Sequence, residues 1–132
     1  MRVVLDTNVI VSAFLSPEGK PSTILQLVLW GDMEVCLNAA ILAEYEQALH
    51  RPKFAETIHQ PATIRFFDLL SEIGSIAVGA PSKNIFPDES DRKFYDVAKT
   101  VGAILVTGNK KHYPDEPFIL SPAQFLDISH FL

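Results

Sequence analysis

The stretch Arg2-Val3-Val4-Leu5-Asp6-Thr7-Asn8 decides how this chain folds. Its apolar residues are consecutive rather than alternating, which marks a strand buried on both faces, and the run stops at Asp6. Asn8–Leu15 then reads as a short helix, closed by Ser16-Pro17-Glu18-Gly19. The same alternation continues outward. Ser22–Trp30, Ala39–His50, Ala62–Ile73 and Asp91–Val101 carry helical periodicity. Glu34–Leu37, Ser75–Val78, Ala103–Val106 and Phe118–Leu120 read as strands, and Ser121-Pro122 opens a last short helix. Buried strands separated by helices predict an α/β fold, a three-layer α/β/α sandwich with a central, mainly parallel sheet. No internal repeat or low-complexity tract interrupts the pattern, so residues 1–132 are expected to form a single domain. In such folds ligands bind beyond the carboxyl ends of the strands. Asp6, after the first strand, and Thr107-Gly108-Asn109, after the Ala103–Val106 strand, are therefore expected on one rim.

Composition sets the outer limits. With 48% hydrophobic and 20% charged residues, 132 residues are enough to bury a core without staples. Cys36 is the single cysteine, which excludes an internal disulfide and a Cys-rich zinc site. It is expected to be a small buried hydrophobe. His50, His59, His112 and His130 have no paired ligand spacing. No run is long enough to span a membrane, and the first apolar run is broken by Asp6, so a cytoplasmic protein is expected. The net charge of -5 argues against holding nucleic acid by bulk electrostatics. It does not argue against carboxylates that hold metal ions, because a bound divalent ion reverses the local field.

Three carboxylates are candidates for chemistry. Asp6 sits rigidly at a strand end, although Asp6 or Asn8 would also serve as a simple helix cap. At about 100° per residue, Glu44 falls about 60° from Ile41, at the edge of the apolar stripe of its helix. Glu46 falls on the far side. Asp91 lies about 60° from Phe94 by the same wheel, with Asp96 almost opposite. Asp91 or Ser90 would also fit as a cap, and Asp88, Glu89 and Asp96 are expected to be solvated. Inward carboxylates need cations, either Lys or Arg or a metal. A hard-oxygen set without paired His or Cys points to Mg²⁺, with Mn²⁺ as substitute.

The ordered motifs resemble the PIN-domain ribonucleases, of the type found as toxins in bacterial toxin–antitoxin systems. They are Val4-Leu5-Asp6-Thr7-Asn8-Val9, the run from Ile41 to Phe54, Asp91-Arg92-Lys93-Phe94-Tyr95-Asp96-Val97-Ala98, Ile104-Leu105-Val106-Thr107-Gly108-Asn109, and the closing run from Ile119 to Leu126. The resemblance implies metal-dependent cleavage of single-stranded RNA in a PIN-like fold. Asp6, Glu44 and Asp91 match the family's metal-binding acids, Asp6 and Asp91 for the main ion and Glu44 directly or through water. Asn109 stands where many members have a fourth acid, and without its charge a second ion should bind more weakly. Asn8 and Thr107 match polar residues that support the acids. Lys110, Lys111, His112, Arg51 and Lys53 are candidates for the RNA backbone, with ordinary solvated side chains as the plainer reading. Tyr113, Phe54 and Trp30 are expected to pack in the core or loops. A cognate antitoxin is the implied partner, and the apolar surplus is compatible with a homodimer.

Two other readings stay open. One is an RNA- or protein-binding module of the same fold with a weakened or inactive metal site, which Asn109 and the acidic charge favour. The other is a phosphoaspartyl enzyme or receiver-like domain using Asp6. It lacks a second Asp at the place of Asn8 and an early acidic pair.

Overall fold

The computed structural model describes residues 1–31 and 33–129, so His130 lies outside the described residues. Five strands form one sheet: β1 (Arg2–Leu5), β2 (Glu34–Leu37), β3 (Ser75–Ile76), β4 (Ile104–Val106) and β5 (Ile119–Leu120). Their order is β3-β2-β1-β4-β5, and every pairing is parallel. Val3 pairs with Val35 on one side and Ile104 on the other. Among them run α1 (Thr7–Leu15), α2 (Lys20–Leu29), α3 (Ala39–Leu49), α4 (Gln60–Ile73), α5 (Arg92–Val101) and α6 (Pro122–Ser129). This is the expected three-layer α/β/α fold, with a wholly parallel sheet.

The central strand is buried as its consecutive apolar residues require, with Val3, Val4 and Leu5 excluded from water. Each such side chain contributes about 1.5–3 kcal/mol of transfer free energy. Cys36 joins the same core. The chain builds β1, β2 and β3 outward to one edge, then crosses back to place β4 on the other side of β1. The strand order therefore reverses between β1 and β4, where the crevice of an open α/β sheet forms.

Element ends shift for local reasons. α2 starts at Lys20 rather than Ser22, because Gly19 caps it and Pro21 suits the first turn. α4 likewise begins at Gln60, ahead of Pro61. A 3-10 turn, Glu89–Asp91, precedes α5, and Gly102 ends that helix in a left-handed conformation at φ 69°. β3 stops at Ile76, yet the chain keeps its course. Ala77 N–H donates to the Leu37 carbonyl at 2.8 Å, and Ala80 N–H to the Thr100 hydroxyl at 2.8 Å.

That segment overturns one expectation. Asp96 is buried, not solvated, at 7% exposure. Gly79 lies so close against α5 that a Cβ there would come within 2.8 Å of the Asp96 backbone and side chain. The helical wheel showed the far face of α5 as free because it took no account of a returning loop. Trp30 departs in the other direction. It caps α2 and is 71% exposed rather than packed in the core.

Candidate active site

Asp6, Thr7, Asn8, Glu44, Asp91 and Asn109 line one polar cleft of about 570 Å³ at the carboxyl rim of the sheet. The fold brings them there from four elements. Asp6 directly follows β1, α3 carries Glu44, the turn before α5 carries Asp91, and the loop after β4 carries Asn109. α3 is set by Asn38, whose side chain accepts the Ile41 N–H at 3.0 Å, and by the buried Tyr45, whose hydroxyl donates to the Leu5 carbonyl at 2.5 Å.

Neither aspartate is spent on capping. Asp6 precedes α1 and Asp91 precedes α5, and neither side chain makes a capping hydrogen bond. Asp88 does that work instead, accepting the Ser90 N–H at 2.9 Å. Both aspartates therefore keep carboxylate oxygens for other partners.

Asp6 is 4% exposed and held from one side. Its Oδ2 accepts from the Thr107 hydroxyl at 2.8 Å, the Tyr113 hydroxyl at 2.9 Å and the Asn8 amide at 3.2 Å. Among the described residues these side-chain donors all meet Oδ2 and leave Oδ1 without one. Burial pushes the Asp6 carboxyl above its usual value, and the Thr107 and Tyr113 hydrogen bonds offset part of the rise. Burial and the charge of Asp6 keep the Tyr113 phenol protonated, so it remains a donor. Asn8 also accepts the Gly108 N–H at 2.9 Å, which joins the start of α1 to the loop after β4.

Tyr113 is thus more than loop packing. It is buried, as expected, but its hydroxyl reaches into the site. Nothing in the local pattern of Lys110-Lys111-His112-Tyr113 signals this, because the contact spans 107 positions.

Asp91 has fewer partners. His112 Nδ1 lies 3.8 Å from its Oδ2. Burial first, then the charges of Asp6 and Asp88, raise its carboxyl to about 6, against a smaller lowering by His112. Neighbouring carboxylates that raise Asp91 in this way form a field suited to a cation.

Glu44 is engaged differently. Its Oε1 accepts from Lys93 Nζ at 2.6 Å, and its Oε2 accepts from the Thr7 hydroxyl. Among the described residues no three His, Cys, Asp or Glu side chains close into a ready-made metal cage. The donor set still suits a hard ion that keeps much of its water. Mg²⁺ commonly takes only one or two protein carboxylates, and Asp6 and Asp91 supply two.

The basic candidates divide. Arg51, Lys53 and His112 line the cleft, together with Phe54. Lys110 turns to Gln124, its Nζ 3.1 Å from Oε1, and lines a separate hollow with Asp115 and Glu116. Lys111 is exposed and does not line the acidic cleft.

A family model described as a PIN domain matches residues 2–111, a span that takes in every acid of the cleft and Asn109. The chain is 31% identical over 111 residues to the uncharacterized protein MJ1680 of Methanocaldococcus jannaschii, covering 83% of this chain and 72% of that one. Its fold is similar to a chain in the crystal structure of VapBC2 from Rickettsia felis bound to a DNA fragment from their promoter. The TM-score is 0.56 at 17% identity, over 92% of this chain and 97% of the other. PIN domains are generally nucleases and usually use divalent metal ions. The family match over most of the chain shows that the protein belongs to the PIN-domain family.

Proposed function

We propose that this protein is a metal-dependent endoribonuclease that hydrolyses phosphodiester bonds of single-stranded RNA, with Mg²⁺ as its ion and Mn²⁺ as substitute. One observation carries the reading. Asp6 and Asp91 share a cleft and remain free of helix capping, and burial first, then the charge of Asp6, raises the proton affinity of Asp91. A bound divalent ion would lower the pKa of a water and offset charge building on the phosphate. Asp6 and Asp91 are the residues that would hold it. Thr107, Tyr113 and Asn8 fix the Asp6 carboxylate through Oδ2 and so orient Oδ1. Arg51 and Lys53, at the same cleft, would meet phosphates on either side of the scissile one. Water adds to phosphorus as the bond to the leaving ribose oxygen breaks, which leaves one phosphate monoester and one hydroxyl end.

We further propose the toxin of a toxin–antitoxin pair as its role, with an antitoxin protein as partner. The support is the motif resemblance together with the fold shared with VapBC2. A second reading, a binding module with a weakened site, is favoured by the neutral Asn109 and by the ion pair of Glu44.

The test is cleavage of labelled single-stranded and structured RNAs in Mg²⁺, in Mn²⁺ and in EDTA, comparing wild type with D91N. Wild type should cut only with metal and prefer single strands, and D91N should lose about 100-fold or more. Equal activity in the two proteins would reject the site. A folded wild type that never cuts would favour the binding module, as would an N109D variant that gains cleavage from an inert parent.

A further inference from the structure

Lys93 is a cation with no role in the proposed cleavage. It belongs to α5, two positions past Asp91, and its ammonium reaches across to α3. Nζ donates to Glu44 Oε1 at 2.6 Å and to the Ser90 carbonyl, and it lies 5.0 Å from the Phe94 ring centroid. The pair is only partly open to water, with side-chain exposures of 22% for Lys93 and 25% for Glu44. Glu44 has its other oxygen on the Thr7 hydroxyl. Both Glu44 oxygens are therefore occupied by donors of the protein itself. Asp6 differs, because its side-chain donors gather on Oδ2 alone.

Charge leads to the same division. Lys93 cancels one of the three carboxylates Asp6, Glu44 and Asp91, and Asn109 adds none. Asp6 and Asp91 then leave two negative charges for one divalent ion, while Asp88, which also lines the cleft, is engaged by Ser90. A second ion beside Glu44 would compete with an ammonium and a hydroxyl for its oxygens, and would meet that ammonium's repulsion.

We propose that Lys93 is a built-in substitute for a second metal ion. The site takes one divalent cation, on Asp6 and Asp91, and Lys93 holds Glu44 as an anchored carboxylate that does not ligate it. Lys93 is then a positioning residue that sets metal count. The proposal rests on the reading that these acids bind a divalent ion.

The experiment counts Mn²⁺ bound to the full chain by calorimetry and by the electron paramagnetic resonance signal of free Mn²⁺. Wild type should bind one ion. K93Q, which releases Glu44, should bind two, and K93R should return the count to one. The neutral pair E44Q/K93M should keep one ion within about threefold of wild-type affinity, whereas D6N should weaken it about 100-fold or more. Two ions on wild type would overturn the proposal, and that outcome needs no variant to fold. One ion on K93Q, or loss of the ion from E44Q/K93M, would overturn it too. No binding to wild type, or equal binding to wild type and D6N, would instead reject the underlying metal site.

Discussion

At the scale of single residues, Asp91 makes the sharpest claim. Its carboxyl is raised from an ordinary 3.8 to about 6, chiefly by burial and then by Asp6. The native chain therefore binds this proton more tightly than the unfolded chain does. The stabilisation is fully present below pH 3.8 and is lost as pH rises through about 6. In EDTA at pH 8, D91N should be more stable than wild type by about 1 kcal/mol, a figure reduced because the group still meets water. Urea denaturation would decide, and a less stable D91N would count against the charge field. The same proton competes with a metal ion, so Mn²⁺ affinity should fall steeply as pH drops below about 6. An affinity that stays flat to pH 5 would mean that Asp91 is not a ligand. Asp6, Glu44 and Asp91 were legible because strand ends and helix wheels are local patterns. The partners Thr7, Tyr113 and Lys93 were not, because each contact joins residues that only the folded chain brings together.

Among elements, α5 shows both the strength and the limit of pattern reading. Its buried stripe of Phe94, Val97 and Ala98 follows from spacing alone, and Gly102 marks its end. The burial of Asp96 does not, because it comes from the segment after β3. That segment is too short in regular pairing to announce itself, with β3 only two residues long. Its approach to the helix depends on glycine. A Cβ on Gly79 would lie 2.7 Å from the Val97 nitrogen, against backbone that cannot swing aside. G79A should cost about 1–3 kcal/mol. Thermal melting of the metal-free protein checks this, and an unchanged midpoint would show that the segment lifts away freely. Arg92 gives α5 a second hold on the same chain, donating to the Ser82 carbonyl at 2.8 Å and the Asn84 carbonyl at 2.6 Å. The segment is thus fastened at both ends, and the turn that carries Asp91 is fastened with it.

For the whole molecule, net charge and topology matter most. An acidic protein with Arg51 and Lys53 as the only full cations among the described residues lining its cleft has little electrostatic grip on RNA. For D91N binding a single strand, the slope of log affinity against log salt should lie between about -1 and -2, as two phosphate contacts require. Fluorescence anisotropy across a salt series measures it. A slope steeper than about -4 would place much of the RNA outside the cleft. The parallel sheet and its layers were readable in advance because consecutive apolar strands allow few other arrangements. The order of the strands was not, since nothing within a strand names its neighbour. That order has a consequence in time. β1 is made first and sits in the middle of the sheet, while its neighbour β4 is made about 100 residues later. The bonds that aim Asp6 come later still, from Thr107 and Tyr113. A chain emerging from the ribosome waits for β4 and the segment after it before β1 can settle, as folds built on distant pairings do. Until then the hydrogen bonds that aim Asp6 cannot form, so an unfinished chain lacks the arrangement on which the proposed nuclease activity depends.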